Sequence, residues 1–254
     1  MARANPTGSP QGAQSALRAI RLLKQFTVER PELGLSELSE RTGLNKATTH
    51  RLLQALLSEG MLDRDHDGGK YRLGPAVMVL GAQAMSAGNL RSEARSMLKQ
   101  LAAETGETAT LEVPAEDTML ILDEIAGGHR VAAGGNIGTR WAMHATSTGK
   151  AVVAFSDNGL ARLPERLTPL TVKTITSRDA LEEQLGEIRR RGFAESVDEL
   201  EDGFSGVGTV IRNASGDILA AMSICGPTQR LTESRRANLG AMLCAAAGQL
   251  QSRF

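Results

Sequence analysis

The stretch that most constrains this 254-residue chain lies between residues 36 and 57, where two short helical patterns are separated by a single glycine. Ser36 is a good helix N-cap, and Glu37 adds negative charge to the first turn. The pattern stops at Gly43, a residue suited to the left-handed conformation that ends helices. Asn45 caps a second pattern, which carries Leu52, Leu53, Leu56 and Leu57 and ends near Gly60. Leu38, Leu44 and Leu52 supply apolar contact, and Ser39 is small where two helices approach. Short helices crossing at a steep angle need this combination of a small contact residue and a turn glycine.

The flanks extend the pattern. Residues 15–26 place Leu17, Ile20, Leu23 and Phe26 at helical spacing, with Ala16, Ala19 and Leu22 widening the stripe and Pro31 and Gly34 ending the element. Downstream, Met61-Leu-Asp-Arg and Lys70-Tyr-Arg-Leu flank the polar turn Asp65-His-Asp-Gly-Gly, the signature of a β-hairpin. Helix, helix, turn, helix, hairpin is the layout of a winged helix-turn-helix, here spanning residues 14–74. Residues 1–13 are small and polar and contain no apolar signal core, so they read as a flexible tail on a cytoplasmic chain.

Residues 75–86 are apolar and helical in pattern, and residues 90–105 form a second helix with Leu98 and Leu101 on its inner face. Residues 75–105 therefore read as a helical linker. Their apolar excess also suits a dimerisation element, or packing on their own domain. Beyond Gly106 the texture changes to strands at 108–113 and 118–125, with a third around Val131 between Gly127-Gly128 and Gly134-Gly135. Helices follow at 147–155 and at 178–191, the latter with Leu181, Leu185 and Ile188 inward and Gly192 as its stop. A hairpin over 204–212 and 218–224 precedes a closing helix at 232–251. Strands flanked by helices make residues 106–254 an α/β sensor-like domain, so the chain is an α+β protein of two domains.

Composition narrows the partners. No run approaches the roughly 18 apolar residues of a membrane helix, so no membrane partner is expected. Two cysteines, Cys225 and Cys244, cannot build a disulfide scaffold, and no CxxC motif or nearby histidine suggests a metal site. The formal net charge is zero. It divides into +3 over residues 1–90 and −3 over the remainder, a mildly basic module that suits a polyanion ahead of an acidic body.

Five stretches in order carry a family resemblance: Leu35-Ser-Glu-Leu-Ser-Glu-Arg-Thr-Gly-Leu, Thr49-His-Arg-Leu-Leu, Tyr71-Arg-Leu-Gly-Pro, Met143-His-Ala-Thr-Ser-Thr-Gly-Lys-Ala and Ala220-Ala-Met-Ser-Ile-Cys-Gly-Pro. From about residue 15 to 251 the chain resembles an IclR-type bacterial transcriptional regulator. The resemblance implies a winged helix-turn-helix, a helical linker and a GAF-like effector-binding domain. It also implies homodimers that pair into tetramers, palindromic double-stranded DNA operators, a small organic acid or aromatic catabolite as effector, and repression as the default mode. No cofactor is implied.

On the DNA-reading side the expectation is specific to residues. If 45–59 is the recognition helix, its outer face carries Asn45, Lys46, Thr48, His50, Arg51 and Gln54, with Thr49 offering a hydroxyl or packing inward. Arg51 suits guanine, and Gln54 or Asn45 suits adenine. Arg64, Lys70 and Arg72 on the hairpin suit phosphate or minor-groove contact. Each could equally be a solvated surface residue. For the effector, the resemblance implies Ser147 and Thr148 at a helix start, Asp198, Gly206, Ser223 and Cys225. The family often has serine where Cys225 stands, and a larger side chain where Gly206 stands. Ser147 could also serve only as an N-cap.

Rival readings are weaker. His144, Ser147 and Asp198 suggest a hydrolase triad, but no GxSxG elbow accompanies them. Thr148-Gly-Lys-Ala lacks the upstream glycine spacing of a phosphate loop. A protein-only interaction module remains the third class, and it would bind its partner without the salt dependence of a polyanion complex.

Overall fold

A computed structural model describes residues 13–27, 30–65, 69–86, 90–129 and 137–253. The chain divides into two units, residues 1–88 and 89–254. The expected tail at 1–13 falls almost wholly outside the described residues, as does the strand expected around Val131.

In the first unit, helix α1 (Ala13–Leu23) precedes a short strand β1 (Glu32–Gly34), then α2 (Leu35–Thr42), α3 (Lys46–Ser58), the strands β2 (Leu62–Arg64) and β3 (Lys70–Leu73), and α4 (Pro75–Ser86). The strands form one antiparallel sheet in the order β1-β3-β2. Helix α1 ends three residues short of the expected Phe26, yet Phe26 still packs on the core. Ser36 is not the N-cap of α2. Gly34 takes that place, because the chain arrives extended from β1, and the Glu37 carboxylate accepts from the Gly34 amide at 2.8 Å. Gly43 adopts φ 66°, as a left-handed helix stop requires. Ser39 does more than stay small: its hydroxyl donates to the Leu44 carbonyl at 2.6 Å and ties the turn shut. Leu22, Leu33, Leu38, Leu53 and Tyr71 form the buried centre. Gly74 explains the glycine of Tyr71-Arg-Leu-Gly-Pro, since a Cβ there would lie 2.3 Å from the Gly60 carbonyl oxygen.

The second unit begins with α5 (Leu90–Thr105), which buries Ala94, Leu98, Leu101 and Ala102 in that unit's own core. Strands β4 (Thr108–Ala115), β5 (Thr118–Ile125) and β6 (Arg140–Ala142) follow. After a one-turn 3-10 helix (Met143–Ala145) come α6 (Ser147–Phe155), α7 (Arg178–Arg191), β7 (Ala194–Val197), β8 (Phe204–Arg212), β9 (Ile218–Pro227) and α8 (Glu233–Gln251). Six strands pair antiparallel in the order β6-β5-β4-β9-β8-β7. One face, with Ala109, Leu111, Met222 and Ile224, packs on α5 and α8. The other, with Val210 and Ala221, packs beside α6 and α7. The two edge strands β6 and β7, of three and four residues, are too short to declare themselves by alternation.

Helix α6 sits deeply against that second face. Its N-cap is Thr146, whose hydroxyl accepts from the Gly149 amide at 3.2 Å, so Ser147 is the first helical residue and not the cap. Gly149 is forced by contact, since a Cβ there would meet the Met143 carbonyl oxygen at 2.1 Å. The next residue, Lys150, is fully buried, and its ammonium donates to Glu199 Oε1 at 2.6 Å and Gln184 Oε1 at 2.9 Å. Burial lowers the Lys150 pKa while Glu199 opposes that shift. This explains Thr148-Gly-Lys-Ala without a phosphate: the lysine pins the helix to the segment after β7.

Replacing Glu199 by leucine while Lys150 remains leaves a buried ammonium without its counter-ion, a loss of about 3–5 kcal/mol. The expected result is a lower urea midpoint for the second unit's transition. The double variant Lys150→Met/Glu199→Leu is expected to recover most of that loss.

Candidate functional site

Helix α3 presents an apolar side and a polar side. Leu52, Leu53 and Leu56 enter the first unit's core, while Asn45, Lys46, His50, Arg51 and Gln54 are exposed along the opposite side and Thr48 is half-buried. Arg51 and Lys46 form no ion pair with any described residue. His50 and Gln54 lie one helical turn apart with side chains 3.5 Å from each other. One expected reader is corrected. Thr49 is fully buried and its hydroxyl donates to the Asn45 carbonyl at 3.0 Å, so it is not on the outer surface. Asn45 Oδ1 accepts from the Thr48 amide at 2.8 Å, which caps the helix.

On the hairpin, Lys70 is exposed and Arg64 stacks over the Tyr71 ring at 5.4 Å. Arg72 is engaged: its Nε and Nη2 donate to Asp63 Oδ2 at 3.2 and 2.7 Å, across the β2–β3 pairing that sets the two residues opposite each other. That bond raises the guanidinium pKa.

The second unit contains a cavity between its sheet and the start of α6. Ser147, Thr148, Gly206, Ser223 and Cys225 all line it. Ser223 and Cys225 alternate on β9 and point to the same face, and Gly206 on β8 pairs with Cys225. The glycines set the depth: a Cβ at Gly206 would lie 3.1 Å from Ser147 Oγ, and one at Gly208 would lie 2.8 Å from the Thr148 amide nitrogen. Burial pushes the Cys225 thiol pKa up, the neighbouring Glu112 charge adding to the shift, so this cysteine is a neutral wall and not a nucleophile.

Asp198 does not line the cavity. It takes φ 55° just after β7, and its carboxylate accepts from Lys173 Nζ at 2.6 Å, the Gly203 amide at 3.0 Å and the Thr228 hydroxyl. The hydrogen bonds from Lys173 and Thr228 hold its pKa below the usual carboxylate value. Asp198 therefore shapes the turn that carries Leu200, which does reach the cavity. The triad alternative fails on the same geometry. His144 Nε2 lies 3.0 Å from the Thr168 carbonyl, and Asp198 is spent on Lys173 and Thr228.

Several lining residues escaped the sequence reading: Thr110 and Glu112 on β4, Ile121 on β5, Trp141 on β6, Ser196 on β7 and Phe204 on β8. Polar residues alternate with apolar ones from Thr108 to Val113, which by itself suggests one wet face. Both faces of this sheet are covered, so the alternation marks an internal polar surface. Glu112 is 4% exposed; its Oε1 accepts from Thr110 and its Oε2 from Thr148, each at 2.7 Å. Burial raises its pKa against the pull of those two hydroxyls.

Among the described residues, no cluster of His, Cys, Asp and Glu suits a metal ion, and no helix is long and apolar enough to cross a membrane. Residues 15–66 match the IclR helix-turn-helix domain, and residues 82–252 match the C-terminal domain of the bacterial transcriptional regulator IclR. Among curated relatives, the HTH-type transcriptional regulator XynR of Escherichia coli strain K12 is 32% identical, over 89% of this chain and 90% of its own. An IclR transcriptional regulator of known structure from Alicyclobacillus acidocaldarius superimposes with a TM-score of 0.83 at 27% identity, over 94% and 98% of the two chains. An IclR homolog from Microbacterium hydrocarbonoxydans, solved with 4-hydroxybenzoate, gives 0.80 at 25% identity, over 94% and 98%. These relatives are regulators and not enzymes, in agreement with the failed triad. With both of its domains matched in order, the chain belongs to the IclR family of bacterial transcriptional regulators.

Proposed function

We propose that this regulator acts as a homodimer, or a pair of dimers, that represses transcription from a palindromic operator until a small organic acid enters the second unit's cavity. The observation that carries the DNA half is the exposed ridge of Lys46, His50, Arg51 and Gln54 on α3, directly above an apolar face fixed in the core. The N-terminal residues of such a helix reach base edges in the major groove. Lys70 and Arg64 on the hairpin, residues 61–73, are the phosphate or minor-groove contacts, and Arg72 supports them by holding the strands together. Residues 75–105 are the proposed connection between the two functions. The exposed Met78, Val79 and Leu80 of α4 offer that segment an apolar surface for a second subunit.

The effector half rests on the cavity. Its free space is small, about 30 Å³, where a single water needs roughly 10–15 Å³. This supports a compact acid of a few heavy atoms; an aromatic ring such as the 4-hydroxybenzoate of the Microbacterium protein requires the lining to open. Ligand-dependent change in operator affinity then follows from unequal binding to two arrangements of the dimer.

Genomic footprinting of the bound chain tests the proposal: a few inverted-repeat sites are expected, and uniform coverage would contradict it. On a site so found, Arg51→Ala is expected to lower affinity by roughly 1–3 kcal/mol per half-site and to relax the base preference beneath it. Unchanged affinity and preference in a shift assay removes Arg51 from the readers. Lys70→Ala is expected to weaken binding similarly on all sequences and to reduce the slope of log K against log salt by about 0.9 per half-site. An unchanged slope places Lys70 away from the phosphates.

A further inference from the structure

Glu112 gives the cavity a property that neither the family match nor the sequence motifs contain. Its carboxyl is buried at the start of α6, and no lysine, arginine or histidine lines the cavity with it among the described residues. The titratable groups that feel its charge are themselves acidic, Glu124 from β5 and Cys225 from β9, while its own pKa answers to burial and to the hydroxyls of Thr148 and Thr110. From α6 come hydroxyls only, since Lys150 is bound to Glu199 and Gln184. Strand β8 adds Gly206, which brings no charge.

The hydroxyl protons around Glu112 can be followed one by one. When Glu112 is ionised, Thr148 donates to Oε2 and Thr110 donates to Oε1. Thr110 has then spent its one proton, so in the 2.7 Å contact between Thr110 and Ser223 the Ser223 hydroxyl is the donor. All three of these hydroxyl protons are drawn toward the carboxylate, and these three groups offer the cavity lone pairs. When Glu112 takes a proton from solvent, its new O–H donates to Thr148 or to Thr110. In the first case the Thr148 proton turns to the cavity. In the second Thr110 donates to Ser223, and the Ser223 proton is freed for Cys225 Sγ or for a ligand in the cavity. Either route removes one negative charge and supplies one donor.

We propose that Glu112 sets the ligand class of this cavity by proton exchange: a carboxylate ligand binds together with one proton, so that the cavity carries a single negative charge, either that of Glu112 or that of the ligand. The inference rests on reading the cavity as the effector site. A ligand carboxylate and an ionised Glu112 would compete for the same hydroxyls and the same helix start, where partial positive charge favours one anion. Raising pH therefore weakens binding of an acid, because ionisation of Glu112 must be reversed on binding, and an uncharged ligand escapes the effect. The burial that raises the Glu112 pKa places this competition nearer to neutral pH than an exposed glutamate would.

Calorimetric titration with acetate, acetamide and methylammonium from about pH 6 to about pH 10, a span that covers even a strongly raised buried glutamate, tests the assignment, using pairs of buffers with different ionisation enthalpies. Acetate stays ionised across this range. The wild-type chain is expected to take up about one proton per acetate above the Glu112 pKa, with affinity falling about tenfold per pH unit there. Glu112→Gln puts an uncharged carbonyl acceptor and an NH2 donor group in the place of the protonated acid, so it is expected to bind acetate with no proton uptake and no pH slope. Acetamide is expected to show no slope with either protein. Acetate binding without proton uptake in the wild-type chain, or with the same uptake in Glu112→Gln, overturns the role of Glu112 alone. Methylammonium binding that strengthens with pH and disappears in Glu112→Gln assigns the site to cations and overturns the ligand class. Failure of acetate to bind either protein overturns the small-acid reading of the cavity along with the inference.

Discussion

The second unit depends on the close approach of the first turn of α6 to the sheet beside it. Three glycines permit it: Gly149 against the Met143 carbonyl, and Gly206 and Gly208 against Ser147 and Thr148. A methyl group at Gly149 or Gly208 would meet backbone, which cannot swing aside as a flexible side chain does. The buried Lys150–Glu199 pair then fixes the helix in that place. Such a pair contributes little net stability relative to an apolar replacement, but breaking it strands a charge. Its effect here is positional. It holds Thr148 where its hydroxyl can reach Glu112, and so the cavity's chemistry follows from the packing.

A similar approach closes the first unit, where Gly74 follows the hairpin and lies against Gly60 and Leu62. The Gly74 amide donates to the Met61 carbonyl at 2.9 Å, tying the end of the hairpin to its beginning. The hairpin is thereby fixed beside α3, and the polar side of α3 is left outside as the only one not consumed by Leu52, Leu53 and Leu56.

How much of this was legible in the residues differs between the units. Gly43, Asn45 and the leucines of α3 announced the helix-turn-helix because capping and helical periodicity are local signals. Strand β1 was missed because three residues cannot display a period, and its partner Tyr71 lies far along the chain. In the effector unit, Ser147, Thr148, Gly206, Ser223 and Cys225 were found through the family resemblance, and they do share one cavity. Asp198 was placed there by the same route, yet its partners Lys173 and Thr228 are distant in sequence and nothing local reveals them. Glu112 went unnoticed because alternation along β4 reads as a wet face unless one knows that helices cover both sides of the sheet.

The central claim joins the two units: occupancy of the cavity beneath α6 changes how the α3 ridge holds DNA. Such coupling is a free energy shared between two sites, and it must act equally in both directions. The direct measurement is operator affinity by fluorescence anisotropy, with and without a saturating small acid, paired with the acid's affinity with and without operator. The account predicts a change of roughly 5- to 150-fold, identical in the two experiments. Operator affinity that stays the same with the cavity filled would contradict it.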